Sequence, residues 1–122
     1  MVGWIIAAGG LGAVGRFVAD GLLRTVLGRA FPWATLIINV TGSLLLGIFT
    51  GLAAHQAVDS HALLIVGTGF CGGFTTFSTA SFETARLIEE QEHGLAALQS
   101  VGNLGLSLVA VWVGYAIAPL VA

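Results

Sequence analysis

The sequence predicts an all-α membrane protein of four transmembrane helices, the third of them broken at its centre. Three observations carry that prediction. Only 8% of the 122 residues are charged and 57% are hydrophobic, where a soluble domain carries about 25% charge, and mean hydropathy is +0.98. Four long stretches hold almost no Asp, Glu, Lys or Arg: Val2–Leu23 (interrupted by Arg16 and Asp20), Phe31–Ala54, Ala62–Phe82 and Gly94–Ala122. The third stretch packs four glycines into Gly67–Gly73 and follows them with the hydroxyls of Thr75, Thr76, Ser78, Thr79 and Ser81.

A spanning helix needs about 20 mostly apolar residues, and each stretch supplies that length. The strands of a membrane barrel would show runs of about 10 residues of alternating polarity, which are absent. The length suits a single transmembrane domain over residues 1–122, with helices at about 2–24, 31–55, 61–88 with a break near 72–75, and 94–120.

The first helix is read as retained and not as a signal peptide. No basic residue precedes its apolar run, and Arg16 lies deep inside it. Arg16 can snorkel to an interface or cap a packed helix end, or it can draw anions into a vestibule. Gly9, Gly10, Gly12 and Gly15 permit close backbone approach, as do Gly42, Gly47 and Gly51 of the second helix. Four short helices bury little by themselves, so this many glycines suggest tight packing against a second copy.

The second helix contains NVTGS, with Asn39, Thr41 and Ser43. The fourth contains NLGLS, with Asn103 and Ser107 four residues apart on one face. Polar side chains in hydrocarbon mark function by default, although Asn, Thr and Ser also bridge packed helices.

The third helix differs in kind. Gly72 and Gly73 relax its backbone, and such a break survives at membrane depth only where it is buried in protein or lines a cavity. Freed carbonyls there can coordinate a cation. The resumed helix presents its N-terminal dipole, which suits an anion. Phe74, Phe77 and Phe82 are interleaved with the hydroxyls, and a phenyl ring has a positive edge. Neutral donors and ring edges bind a small anion weakly enough to release it, as conduction requires.

Charge and motif exclude other classes. Net charge is −2 and there is no lysine, so no basic patch points to nucleic acid. No GxxxxGK[ST] run implies coupling to ATP. His55, His61 and His93 fall at helix ends and not at metal-ligand spacing, and no soluble catalytic module fits the loops, so an enzyme is not expected. The lone Cys71 forms no internal disulfide. Arg24, Arg29 and Arg86 lie on one side of a four-helix chain, which favours the first and third loops in the cytoplasm. The bias is small and diluted by Glu89, Glu90 and Glu92.

The residues resemble the Fluc (CrcB) family of fluoride channels over essentially the full chain. The resemblance rests on GGLGAVGR (Gly9–Arg16), NVTGSLLLG (Asn39–Gly47), GTGFCGGFTTFST (Gly67–Thr79) and NLGLS (Asn103–Ser107). It implies a passive, highly selective fluoride channel in the bacterial plasma membrane. Fluoride that enters as neutral HF ionises in the cytoplasm, leaves through the channel, and its toxicity falls. It also implies an antiparallel, dual-topology homodimer with two pores. A structural sodium ion (Na+) would lie at the dimer centre, on the backbone carbonyls of Gly72 and Thr75. The implied fluoride pore consists of Asn39, Phe77, Ser78, Thr79, Asn103 and Ser107, with Arg16 and Glu83 in structural or vestibule roles. The family pattern TTFSTF reads TTFSTA here, so Ala80 replaces its second ring. The arginine bias also sits poorly with dual insertion.

Two other classes compete. A small proton-coupled multidrug-type antiporter needs a carboxylate alone at mid-membrane, whereas Asp20 lies near the end of the first helix and Glu83 follows the hydroxyl run. A non-transporting helical subunit would leave the glycine break and its hydroxyls without a role.

Overall fold

The computed structural model of the chain describes residues 2–28, 33–55, 57–75 and 77–121, apart from the side chains of residues 77–79 and 121. Every element among them is helical: α1 (Val2–Leu27), α2 (Trp33–Ala54), α3 (Ser60–Leu63), a π-helical segment (Leu64–Cys71), α4 (Gly72–Phe74), α5 (Phe77–Glu89) and α6 (His93–Val121). Three helices, Val2–Leu27, Trp33–Ala54 and His93–Leu120, are long and apolar enough to cross a membrane, and a shorter apolar helix runs over Ser60–Phe74. The expected start of the second helix at residue 31, like the loop arginine Arg29, lies outside the described residues.

Local chemistry sets the ends of these helices. Gly28 closes α1 at φ +82°, its N–H donating to the Arg24 carbonyl at 3.0 Å, the left-handed conformation that glycine adopts without steric cost. Asp59 caps α3, its carboxylate accepting from the Ala62 N–H at 2.8 Å. At the end of α5, Gln91 takes the left-handed position itself, at φ +59°. Its N–H reaches the Ile88 carbonyl at 3.0 Å and the Glu92 N–H reaches Leu87 at 2.8 Å. That paired pattern ends one helix within two residues and turns the chain tightly into α6.

The most extensive packing is between α2 and α6, which run parallel. Asn39 meets Asn103, Gly47 meets Val111 and Gly51 meets Tyr115, so one offset of 64 residues holds along the seam. A Cβ at Gly47 would overlap the Val111 carbonyl oxygen, and one at Gly114 would overlap that of Leu44. On the other flank, α1 packs against the π-helical segment and α4. A Cβ at Gly12 would overlap the Phe70 carbonyl, and one at Gly73 would overlap that of Gly9. The glycines at positions 12, 42, 47 and 51 therefore pack inside one chain, whereas a Cβ at Gly10 would meet nothing within 4 Å. Backbone-to-backbone approach within the bundle already consumes the space they leave.

The break differs from expectation in its cause. Gly72 is helical, with φ −62° and ψ −38°. The chain turns extended at Thr75, where ψ is 160°. The glycines before it serve packing, apart from Gly72, around which a Cβ would meet nothing within 4 Å. Upstream, the helix is widened to π over eight residues, and π segments are rare and concentrate at functional sites.

The outer faces are apolar. On α1, Trp4, Leu11 and Phe17 are 69%, 67% and 75% exposed, and on α6 Val101 and Trp112 are 69% and 72% exposed. Such continuous apolar surface belongs against lipid or protein and not against water.

Candidate functional site

A cleft of about 770 Å³ opens where α2, the broken helix, α5 and α6 converge. Asn39 and Ser43 line it from α2, Gly72 and Thr75 from the break, and Asn103 and Ser107 from α6. Five of the residues that the resemblance implies for the pore and the sodium site (Asn39, Gly72, Thr75, Asn103 and Ser107) thus share one cavity. Their spacing explains it. Residues 39 and 43, and residues 103 and 107, are one turn apart on their helices, and the common offset sets the two pairs face to face.

At the centre of the cleft, the Asn39 side-chain amide donates to the Asn103 Oδ1 at 2.8 Å. The Asn103 Nδ2 in turn donates to the Gln99 carbonyl at 2.8 Å. This chain of amides fixes α2 against α6 and orients both groups at the cavity wall. Thr75 is held from two sides. Its hydroxyl donates to the Cys71 carbonyl at 2.7 Å, and its methyl fills the space that Gly42 leaves open.

The aromatic residues divide. The backbone of Phe77, Ser78 and Thr79 forms the first turn of α5, but their side chains lie outside the described residues. Phe74 stacks on Phe70 with ring centroids 5.7 Å apart and wedges between Gly15 of α1 and Gly42 of α2. Phe82 is 69% exposed on the outer surface. Neither lines the cleft, so among the described residues no ring replaces the one missing at Ala80, which does line it.

A second polar group lies beside the cleft. Arg24 donates to Asp20 at 2.8 Å through Nε and to Glu83 at 2.9 Å through an Nη. The other oxygen of Glu83 accepts from the Thr35 hydroxyl. Glu83 and Thr35 are 4% and 1% exposed. One carboxylate therefore ties α1, α2 and α5 together, with its charge paired and its lone pairs used, as burial demands. Arg16 is half-buried on the same face of α1 and makes no hydrogen bond or ion pair among the described residues. Nothing in the sequence marks Arg24 or Thr35 as a partner of Glu83. The i,i+4 spacing of Asp20 and Arg24 marks the first pair, but no local signal marks a contact across 48 or 59 residues.

Gln99 was also passed over. It is completely buried, and among the described residues neither its Nε2 nor its Oε1 has a hydrogen-bond partner. By the α2–α6 offset it lies opposite Thr35, one turn before the Asn39–Asn103 bond.

Comparison with known proteins gives the family. Residues 3–115 match the family model described as "CrcB-like protein, Camphor Resistance (CrcB)". The chain is 47% identical over 120 residues to fluoride-specific ion channel FluC 1 of Leifsonia xyli, covering 94% of this chain and 88% of that one. It is 44% identical over 115 residues to fluoride-specific ion channel FluC of Opitutus terrae, covering 92% and 87%. It is also 44% identical over 115 residues to FluC 2 of Cutibacterium acnes, covering 93% and 94%.

Proposed function

The chain belongs to the CrcB-like family, and from that membership we propose that it is a passive fluoride-selective channel. It is a multi-pass protein of the bacterial membrane that lets cytoplasmic fluoride leave the cell, and not an enzyme. The observation that carries the reading is the cleft. Its central polar groups, Asn39, Ser43, Asn103 and Ser107, are neutral, so they can replace part of an anion's hydration without trapping it. Phe77, Ser78 and Thr79 complete the pore in this reading, and Arg16 attracts the anion toward it.

Four spans, with the broken helix as the third, and an antiparallel pairing of two copies are part of the same proposal. The cleft supports the pairing, because it is an open groove on a single chain and Gly72 is exposed within it. A sodium ion at the break fits the donors present. Among the described residues no group of three His, Cys, Asp or Glu side chains gathers to hold a metal. The carbonyls of a helix's last turn lack intrahelical donors, and the Cys71 carbonyl is already taken by Thr75. Gly72 and Thr75 would then hold the ion through their carbonyl oxygens, the hard ligands that such cations prefer. When bound, it supplies a fixed positive charge between the copies.

The antiporter reading gains nothing from this geometry. Asp20 and Glu83 both bind Arg24, and neither lines the cleft as a lone carboxylate. Fluoride efflux from liposomes carrying the purified protein, with chloride as control, tests the proposal. Rapid fluoride release without chloride release is expected. Release that requires a proton gradient, or equal release of both ions, would overturn it.

A further inference from the structure

The α2–α6 offset of 64 sets up four successive rungs along the seam. Thr35 faces Gln99, Asn39 faces Asn103, Ser43 faces Ser107 and Gly47 faces Val111. The fourth rung is shut, since the Val111 carbonyl occupies the space beside Gly47. The second is joined by the amide hydrogen bond. The third is different. Ser43 and Ser107 are both half-buried, both line the cleft, and neither hydroxyl makes a hydrogen bond among the described residues.

That is unusual within this chain. A hydroxyl inside a helix ordinarily donates to a carbonyl one turn back. Thr41 does so to Ile37 at 2.8 Å, Thr50 to Leu46 at 2.8 Å, Thr84 to Ala80 at 2.9 Å and Ser100 to Ala97 at 3.3 Å. Those hydroxyls have spent their single proton. Ser43 and Ser107 keep theirs, one helical turn (about 5.4 Å) from the Asn39–Asn103 pair, on the wall of the same cavity.

We propose that Ser43 and Ser107 form a second coordination rung for a small anion, with Ser43 as a donor outside the pore set that the family resemblance implies. The inference rests on the channel reading and identifies a further residue of its path. An anion at this rung takes one O–H from each helix in place of two waters. Two neutral rungs a turn apart let it pass between sites of similar strength, which favours release over trapping. Thr41, two residues away, serves the helix backbone instead.

The test measures fluoride efflux from liposomes for the parent, Ser43→Ala, Ser107→Ala and Thr50→Ala, with size-exclusion profiles for each. A hydrogen bond to a charged partner is worth about a factor of ten or more. Ser43→Ala is therefore expected to slow fluoride efflux about tenfold, as Ser107→Ala does, and to raise the half-saturating fluoride concentration, with a parental elution profile. Thr50→Ala, whose hydroxyl faces its own helix, is expected to conduct as the parent does. Parental efflux in Ser43→Ala beside slowed efflux in Ser107→Ala would remove Ser43 from the path. If Ser43→Ala loses its folded peak, Ser43→Cys is read instead, being similar in volume and a weaker donor. Slowed efflux with a native peak supports the rung, and parental efflux overturns it. A parent that releases no fluoride would overturn the channel reading itself, an outcome separate from any of these.

Discussion

Replacing Glu83 tests the buried junction most directly. Its side chain is 5% exposed, with one oxygen 2.9 Å from Arg24 and the other accepting from Thr35. Breaking a buried ion pair from one side costs about 3–5 kcal/mol when the abandoned charge has no other partner. Arg24 does have one, Asp20 at 2.8 Å, and is itself 20% exposed, so the lower part of that range is the reference. Glu83→Gln retains an acceptor oxygen for Thr35 or Arg24 and loses only the charge assistance. We expect a loss of about 1–2 kcal/mol, since charge-assisted hydrogen bonds exceed neutral ones by that order. Glu83→Leu removes every acceptor and is expected to cost about 3 kcal/mol or more. Thermal unfolding in detergent, followed by loss of the size-exclusion peak, ranks the variants. A double-mutant cycle with Arg24→Gln isolates the pair and should give a coupling of at least about 1 kcal/mol. Single effects that add within about 0.5 kcal/mol would show that Glu83 and Arg24 act independently, and the junction would not be what joins α1 to α5.

Asn39→Asp places a carboxylate against the Asn103 Oδ1 and at the wall of the anion's cavity; fluoride efflux is expected to fall at least tenfold with assembly retained, and parental efflux would reduce Asn39 to a packing residue. A Cβ at Gly72 meets nothing within 4 Å in its own chain, so Gly72→Val is expected to leave the single chain folded while fluoride efflux and sodium dependence are lost; a variant with both intact would remove Gly72 from the proposed ion site. Gln99→Met replaces a buried amide whose Nε2 and Oε1 have no partners with an apolar group of similar volume, and thermal stability is expected to hold or to rise by about 1–3 kcal/mol; a loss of more than about 1 kcal/mol would show that the amide has a hydrogen-bonding role in the folded protein.

The long helices were legible because hydropathy and length decide them: α1, α2 and α6 lie where mostly apolar stretches of about 20 residues fall. The cleft was partly legible. Asn39 and Asn103 announced themselves as amides in apolar runs, and their neighbours at i+4 followed from helical spacing. The pairing of the two helices was not, because an offset of 64 is a tertiary quantity. The partners of the glycines were hidden for the same reason. Composition shows that something comes close at Gly12 or Gly47, but only the fold shows that it is the carbonyl of Phe70 or Val111. The break was located by its glycines and hydroxyls, yet the extended residue is Thr75. The glycines draw the eye to positions that remain helical.

The distribution of charge bears on how an anion could use this seam. The junction beside it holds two carboxylates, Asp20 and Glu83, around one guanidinium, so its formal charge is negative and it would repel fluoride. Its inner side is closed: Thr35 and Glu83 are buried, and Thr35 spends its proton on Glu83. Below it, Gln99 is enclosed completely. Neither residue of the first rung lines the cavity, and every polar group that does is neutral. Arg16 stands two turns before Arg24 on α1, a cation without an ion-pair partner among the described residues. In the proposed channel, tying up Arg24 while Arg16 makes no ion pair among the described residues would separate two tasks that one arginine could not perform together. A cation bound to two carboxylates fastens helices but no longer attracts an anion, and a cation that attracts anions must not be fastened.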